Sequence, residues 1–266
     1  MKHKFIQRDN GQVHYFISRC KKPAGVLFFT HGLTADSSMF EKQFDYFKDR
    51  YDIVLWDVPC HGLSRPYNNF TYRETADALN DIFIAENIEK AILIGMSMGG
   101  YPVQFFRDKY PGKAMGIVGI DTTPIGTGYY SKSDIFWLKQ VEWMAACFPV
   151  KILKWSMAAA VSATDYSKNT MLNMLNKSDK KDITRQMGIA YGQFIKENRD
   201  VKTDCPVLIL CGEKDSTGKV KQYCIQWARK TGYPLIFIKG AKHFANGDNP
   251  GQVNREIEKF IESVIL

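Results

Sequence analysis

Short runs of apolar residues recur along the first third of the chain, and patterns typical of helices separate them. Uninterrupted apolar runs of this kind are typical of strands that are buried on both faces. Residues 72–87 carry Ala76, Leu79 and Phe83 at spacings of three and four, so these side chains share one face of a predicted helix. A second helix is predicted over 98–109. The alternation favours a mostly parallel sheet with helices on both faces. The predicted strands are Val13–Ser18, Gly25–Thr30, Ile53–Asp57, Ala91–Gly95 and Met115–Asp121.

The pattern changes between residues 126 and 201. This stretch contains no convincing strand, and its Met and Trp residues lie in segments with helical periodicity. Strands are predicted again over 206–211 and 234–238, and a final helix over 253–264. We therefore expect a sheet domain formed by residues 1–125 and 202–266, with a helical insertion over 126–201.

The motif Gly95-Met96-Ser97-Met98-Gly99 lies between a predicted strand and a predicted helix. In this context GxSxG indicates a sharp turn that holds the serine in a strained backbone conformation and exposes its hydroxyl as a nucleophile. The start of the helix directs the Met98 N–H toward an oxygen beside the serine, which predicts one donor of an oxyanion hole.

The segments around this motif resemble those of the α/β-hydrolase superfamily, from about Gly25 to the C-terminus. Phe28-Phe29-Thr30-His31-Gly32-Leu33 is similar to the segment after the family's third strand, and the resemblance implies that Leu33 gives the second oxyanion N–H. Asp57-Val58-Pro59-Cys60-His61-Gly62-Leu63-Ser64 resembles the family's DxPGHGxS segment, with Cys60 where glycine is usual. The resemblance implies an α/β-hydrolase fold whose helical insertion caps the site.

The five histidines can be compared by position. His3 precedes the predicted fold, His14 lies in the first predicted strand, and the loop residues His31 and His61 are usually structural in this family. His243 follows the last predicted strand and can reach the serine, because both loops leave the carboxyl end of the sheet. We expect it to be the general base.

The resemblance maps the orienting carboxylate onto Asp215, which follows the strand over 206–211 and gives the chain order Ser, Asp, His. Two other acids remain candidates for this role. Glu213 is two residues away, and Asp121 ends a strand where some relatives keep their acid.

Charge and cysteine content narrow the class of protein. The net charge is +8, but the basic residues are scattered among acids and no nucleic-acid-binding motif occurs, so we expect no nucleic-acid partner. No apolar stretch is long enough to span a membrane, so stable membrane insertion is not expected. The six cysteines lack metal-site spacing and favour free thiols in a cytoplasmic protein. Neither a cofactor nor a metal is expected.

Together these features predict a serine hydrolase that cleaves a carboxylic ester, or a related acyl bond, of a small and largely apolar substrate through an acyl-enzyme. A carbon–carbon bond hydrolase or a cofactor-free perhydrolase uses the same triad and stays open. A ligand receptor with little turnover is the non-enzymatic alternative. Candidate pocket residues in the insertion are Trp137, Met144 and Trp155.

Overall fold

The predicted strands of the sequence form seven of the eight strands of one sheet in the computed structural model, which describes residues 1–201 and 204–265. The strand order is β1-β2-β4-β3-β5-β6-β7-β8. The pairs β1–β2 and β2–β4 are antiparallel, and the other neighbours are parallel. The strands are β1 Lys2–Arg8, β2 Gly11–Ser18, β3 Val26–Thr30, β4 Asp52–Trp56, β5 Ala91–Met96, β6 Ala114–Ile120, β7 Val207–Gly212 and β8 Leu235–Ile238.

Helices cover both faces of this sheet, as the strand composition predicts. Side chains of α2, α3 and α9 pack in the core on one face, and those of α1 and α11 pack on the other. The predicted mostly parallel sheet with flanking helices is therefore confirmed. The helices are α1 Glu41–Phe47, α2 Tyr72–Ala85, α3 Gly100–Lys109, α4 Lys132–Leu138, α5 Val141–Ala146, α6 Val150–Val161, α7 Asp165–Asn176, α8 Lys180–Glu197, α9 Val220–Thr231, α10 Ala245–Asp248 and α11 Pro250–Ile265.

The first strand is absent from the sequence-based prediction, and His3 was wrongly placed before the fold. β1 is an edge strand whose side chains are mostly exposed, so it lacks the apolar run that marks the inner strands. His3 lies in this strand, and its Nε2 is 2.9 Å from Nδ1 of His14 in β2.

Helices α4 to α8 lie between β6 and β7, and the described residues between these two strands form no strand. The proposed division at 126–201 stays a prediction, and its boundary residue 202 lies outside the described residues. Over 1–201 and 204–265, the helices lack the combination of length and apolar character that crossing a membrane requires.

Candidate active site

Ser97 lies at the sharp turn between β5 and α3. Its φ is +51°, in the left-handed region that costs a non-glycine residue free energy. Gly95 and Gly99 make the turn possible, because a Cβ on Gly95 would lie 2.6 Å from the Gly99 carbonyl oxygen and one on Gly99 would overlap the backbone of Thr30. The turn therefore presents the serine side chain away from the sheet.

The Ser97 hydroxyl contacts the imidazole of His243. Ser97 Oγ is 2.8 Å from His243 Nε2, and His243 Nδ1 is 2.9 Å from Asp215 Oδ2. His243 follows β8 and Asp215 follows β7, so three loops at the carboxyl edge of the sheet bring these groups together. Asp215 and His243 are buried, whereas Ser97 is partly exposed to a cavity. This geometry permits proton transfer from serine to imidazole.

The carboxylate of Asp215 is held in its charged form. Burial raises its pKa, but the hydrogen bond and charge of His243 and the backbone N–H of Thr217 outweigh burial and leave the pKa below its ordinary value. Asp215 Oδ1 accepts the Thr217 N–H at 2.8 Å. A charged carboxylate on Nδ1 keeps the proton on that nitrogen and leaves Nε2 free to accept the serine proton.

Asp121, the alternative acid, lies beside this arrangement but has different partners. Its Oδ1 accepts the Gly212 N–H at 2.6 Å and its Oδ2 accepts the Ala245 N–H at 3.2 Å. It is fully buried, and burial, together with Cys211 and Asp215, raises its pKa well above the ordinary value. Asp121 thus connects the loops that carry Asp215 and His243, and it makes no hydrogen bond to the imidazole.

Side-chain ligand atoms of Asp121, Asp215 and His243 lie within 4.8 Å of one another, a spacing that a metal ion can also use. Each of these atoms already has a hydrogen-bond partner: both oxygens of each aspartate and both ring nitrogens of the histidine. We therefore interpret the cluster as a hydrogen-bonded relay.

Leu33 and Met98 both line the cavity next to Ser97. A Cβ added to Gly32 would lie 3.3 Å from Ser97 Cβ, so the loop after β3 passes directly beside the serine. The Leu33 N–H donates to no backbone carbonyl of the described residues. Met98 belongs to the 3-10 turn Ser97–Gly99 that precedes α3, and the first N–H groups of a helix have no intrahelical acceptor.

His31 and His61 have structural partners away from the serine. His31 Nδ1 donates to the Gly32 carbonyl at 2.7 Å, and its Nε2 accepts the Val58 N–H at 3.0 Å. His61 Nδ1 donates to the Pro59 carbonyl, and burial lowers its pKa to about 3. Cys60, where the family usually has glycine, adopts a φ of +70°. The left-handed turn that glycine favours is therefore formed here by a cysteine.

A cavity of about 850 Å³ opens beside Ser97, within the size range of ligand sites. Helices α4 to α8 supply much of its wall through apolar side chains, and Met39, Met96 and Phe244 add to it from other parts of the chain. The wall contributed by these helices includes Trp137, Leu138, Val141, Met157, Val161, Met171, Met187 and Phe194.

One of the three predicted pocket residues lines the cavity and two do not. Trp137 lines the cavity, whereas Met144 and Trp155 do not. The prediction that Met144 and Trp155 line the pocket is therefore wrong. Met144 on α5 and Trp155 on α6 are 41% and 56% exposed, because Ala145 and Leu153 are the side chains that these helices turn inward. Helical periodicity predicts which side chains share a face but not which face meets the cavity.

The prediction missed two polar features of the cavity wall. The hydroxyl of Thr123 lies 2.7 Å from those of Tyr101 and Tyr130, and these three groups form a hydroxyl cluster. Lys219 Nζ lies 2.7 Å from Asp134 Oδ1. Thr122 and Thr123, which follow Asp121 after the end of β6, were the sequence signal for the cluster, since residues at this edge of the sheet face the site.

Comparison with known proteins identifies the fold family. Residues 25–250 match the family model described as the alpha/beta hydrolase fold. The chain is also similar to an esterase from Thermogutta terrifontis, with a TM-score of 0.80 and 19% identity over all of both chains.

Two curated proteins are similar along most of the chain. One is 2-(acetamidomethylene)succinate hydrolase of Mesorhizobium japonicum, 24% identical over 97% of this chain and 96% of the relative. The other is a putative esterase/lipase of Haemophilus influenzae, 24% identical over 95% of this chain and 88% of the relative. The activities named for these proteins differ, so the matches support a hydrolase of this fold and no single substrate.

Proposed function

Because the chain belongs to the α/β-hydrolase fold family, we propose that it is a serine hydrolase that cleaves carboxylic esters of uncharged, largely apolar substrates. The observation that carries the proposal is the continuous chain of contacts from Ser97 Oγ through His243 to Asp215, with distances of 2.8 and 2.9 Å. These are hydrogen-bond distances between a nucleophile, a base and an orienting acid.

In the proposed reaction, Ser97 Oγ attacks the ester carbonyl carbon while His243 Nε2 takes the hydroxyl proton. The negative charge that develops on the carbonyl oxygen is stabilised by the N–H groups of Leu33 and Met98. His243 then gives its proton to the leaving alcohol, which departs and leaves an acyl group on the serine. Water, activated by the same imidazole, hydrolyses this acyl-enzyme, and Asp215 stabilises the imidazolium in both steps without taking the proton.

The charges around the cavity support an uncharged substrate. Among the described residues that line it, Lys219 is the one lysine or arginine, and Asp134 lies 2.7 Å from its ammonium. The Asp134 carboxylate is also close to Ser131, and these partners hold its pKa below the ordinary value although burial opposes them. A substrate carboxylate in this cavity would thus lose water without gaining an unpaired cation, which is unfavourable.

Hydrolysis of paired p-nitrophenyl esters tests both parts of the proposal. A p-nitrophenyl ester of adipic acid is prepared with its second carboxyl either free or as a methyl ester, so that the two substrates differ mainly in charge. We expect at least about a tenfold higher kcat/KM for the neutral ester, which corresponds to about 1.4 kcal/mol. Preference for the free acid would contradict the uncharged substrate class. Stable binding of both esters without turnover would support a receptor and overturn the hydrolase.

A further inference from the structure

Large apolar side chains are exposed in an unusual concentration on helices α4 to α6 and their connections. Seven of the fourteen large apolar side chains that are exposed among the described residues fall within the twenty residues 136–155. Scattered exposed apolar residues are normal on a soluble protein, whereas a concentrated group marks an interaction surface. The seven are Phe136, Trp137, Trp143, Met144, Phe148, Ile152 and Trp155, which are 41–59% exposed.

Lysines accompany these side chains. Lys132, Lys139, Lys151 and Lys154 lie on the same helices or their connections. Lys168 of α7 also contributes, with its ammonium 4.9 Å from the centre of the Trp155 ring. We call the seven apolar side chains and these five lysines the aromatic–lysine face.

The acids of the same helices offset only part of this charge. Asp134 and Glu142 are the acidic residues between 132 and 155, and Asp165 is the acidic residue of α7, so three acids accompany the five lysines. Asp134 already pairs with Lys219, which lies outside the segment. Aromatic side chains mixed with lysines match the chemistry of an anionic lipid surface, where rings enter the headgroup region and ammonium groups meet phosphates.

The same composition disfavours a second copy of this chain as the occupant. A two-fold dimer places the same patch of both copies face to face, so the lysines of one copy would approach those of the other. Like charges that meet in an interface cost free energy. An anionic surface has the complementary charge.

The aromatic–lysine face is continuous with the cavity. Trp137 lines the cavity and is also 59% exposed, and its neighbours Leu138 and Val141 line the same wall. We propose that the aromatic–lysine face binds peripherally to anionic lipid surfaces and turns the cavity wall at Trp137 toward the lipid. The binding does not depend on the chemistry of Ser97. The consequence that the substrate is an ester that partitions into lipid does rest on the proposed function.

Co-sedimentation with vesicles tests the binding without any substrate. The full chain is mixed with vesicles of phosphatidylcholine alone or of phosphatidylcholine and phosphatidylglycerol in equal amounts, at low and high salt. We expect binding to the mixed vesicles and at least about a tenfold weaker partition with phosphatidylcholine alone, because lysines contribute only on the anionic surface. High salt should weaken the binding to the mixed vesicles.

Matched variants test whether the aromatic–lysine face is the surface that binds the vesicles. Ile152→Ser with Trp155→Ser should reduce partition to the mixed vesicles at least about tenfold, and Lys151→Gln with Lys154→Gln should reduce it only where the lipid is anionic. The controls are Ile84→Ser, a residue 63% exposed on α2, and Lys90→Gln, an exposed lysine outside the insertion. Both controls should bind like the wild type. Thermal unfolding followed by circular dichroism verifies that every variant is folded.

Three outcomes would overturn the proposal. The wild type remains in the supernatant with both kinds of vesicle, or the controls lose as much binding as the variants of the face. The third is a dimer in solution that becomes monomeric with Ile152→Ser and Trp155→Ser, which would identify the face as a self-interface. A protein that binds vesicles but hydrolyses no ester would contradict the proposed function and would still support lipid binding by the aromatic–lysine face.

Discussion

Asp215 accepts a hydrogen bond from His243 Nδ1 at 2.9 Å, and its second oxygen accepts the Thr217 N–H. Asp215→Asn keeps the shape of this side chain but presents an amide that stabilises the wrong imidazole tautomer. We expect kcat to fall by about 10⁴ with little change in KM. Steady-state kinetics on p-nitrophenyl butyrate measure the loss. Asp121→Asn should cost no more than about tenfold, and the reverse order of the two losses would relocate the acid.

Asp121 should affect stability rather than turnover. Its carboxyl accepts the Gly212 and Ala245 N–H groups, and an asparagine turns one of these contacts into a clash of donors. Asp121→Asn is expected to lower the free energy of unfolding by about 1–3 kcal/mol at low pH, since it leaves a buried backbone N–H without an acceptor.

The pH dependence of this effect follows from the raised pKa of Asp121. The folded protein binds the Asp121 proton more tightly than the unfolded chain does, so protonation of this carboxyl stabilises the fold. This stabilisation is complete below the unfolded pKa of about 3.9 and decreases as the pH rises toward the folded pKa. Asparagine has no such contribution. Urea unfolding from pH 4 to 8 should therefore show the difference between wild type and Asp121→Asn shrinking with rising pH. A constant difference would show that the carboxyl keeps its ordinary pKa.

The length of the acyl group should depend on Met157. Its side chain lines the cavity, so Met157→Trp fills part of the volume available to substrate. We expect kcat/KM for p-nitrophenyl decanoate to fall by roughly 10–100-fold while that for the acetate stays within about twofold. Ile84→Trp is the control, because Ile84 is exposed on α2 and lies outside both the cavity lining and the aromatic–lysine face. Equal effects of the two variants would mean that the cavity does not hold the acyl chain.

Alanine substitutions at two glycines distinguish the backbone constraint of the turn at Ser97 from the ordinary helix propensity of glycine. A Cβ on Gly99 would overlap the backbone carbonyls of Thr30 and His31, whereas one on Gly192 in α8 meets nothing within 4 Å. Gly192→Ala should raise the free energy of unfolding by about 0.5–1 kcal/mol. Gly99→Ala should lower it by about 3 kcal/mol or more, through backbone overlap that no side-chain movement relieves. Urea denaturation compares them, and a Gly99→Ala protein as stable as the wild type would contradict the tight turn.

Strands β3 to β7 were predictable from sequence because they are buried along nearly their whole length and read as apolar runs. β1 was not, since its side chains are mostly exposed and only its backbone pairing with β2 places it in the sheet. The same limit applies to α5 and α6. Their periodicity defines a face, but whether Met144 or Trp155 meets the cavity depends on how the helices pack, which one sequence does not encode locally.

The site was partly predictable for a different reason. A turn motif constrains its own backbone, so the strained conformation of Ser97 followed from the glycines around it. Local sequence did not distinguish the roles of Asp121 and Asp215, because both residues follow strands that end at the same edge of the sheet. Only the hydrogen bonds across loops distinguish the carboxyl that contacts His243 from the one that contacts backbone N–H groups.

Fluorophosphonate labelling followed by mass spectrometry tests whether Ser97 is the activated nucleophile. We expect one phosphonate per chain, located on the peptide that contains Ser97, and we expect ester turnover to be lost in proportion to labelling. In Ser97→Ala, labelling should be absent and kcat should fall by a factor on the order of 10⁶. Near-normal turnover in Ser97→Ala, or a label on another residue with Ser97 unmodified, would contradict this role of Ser97.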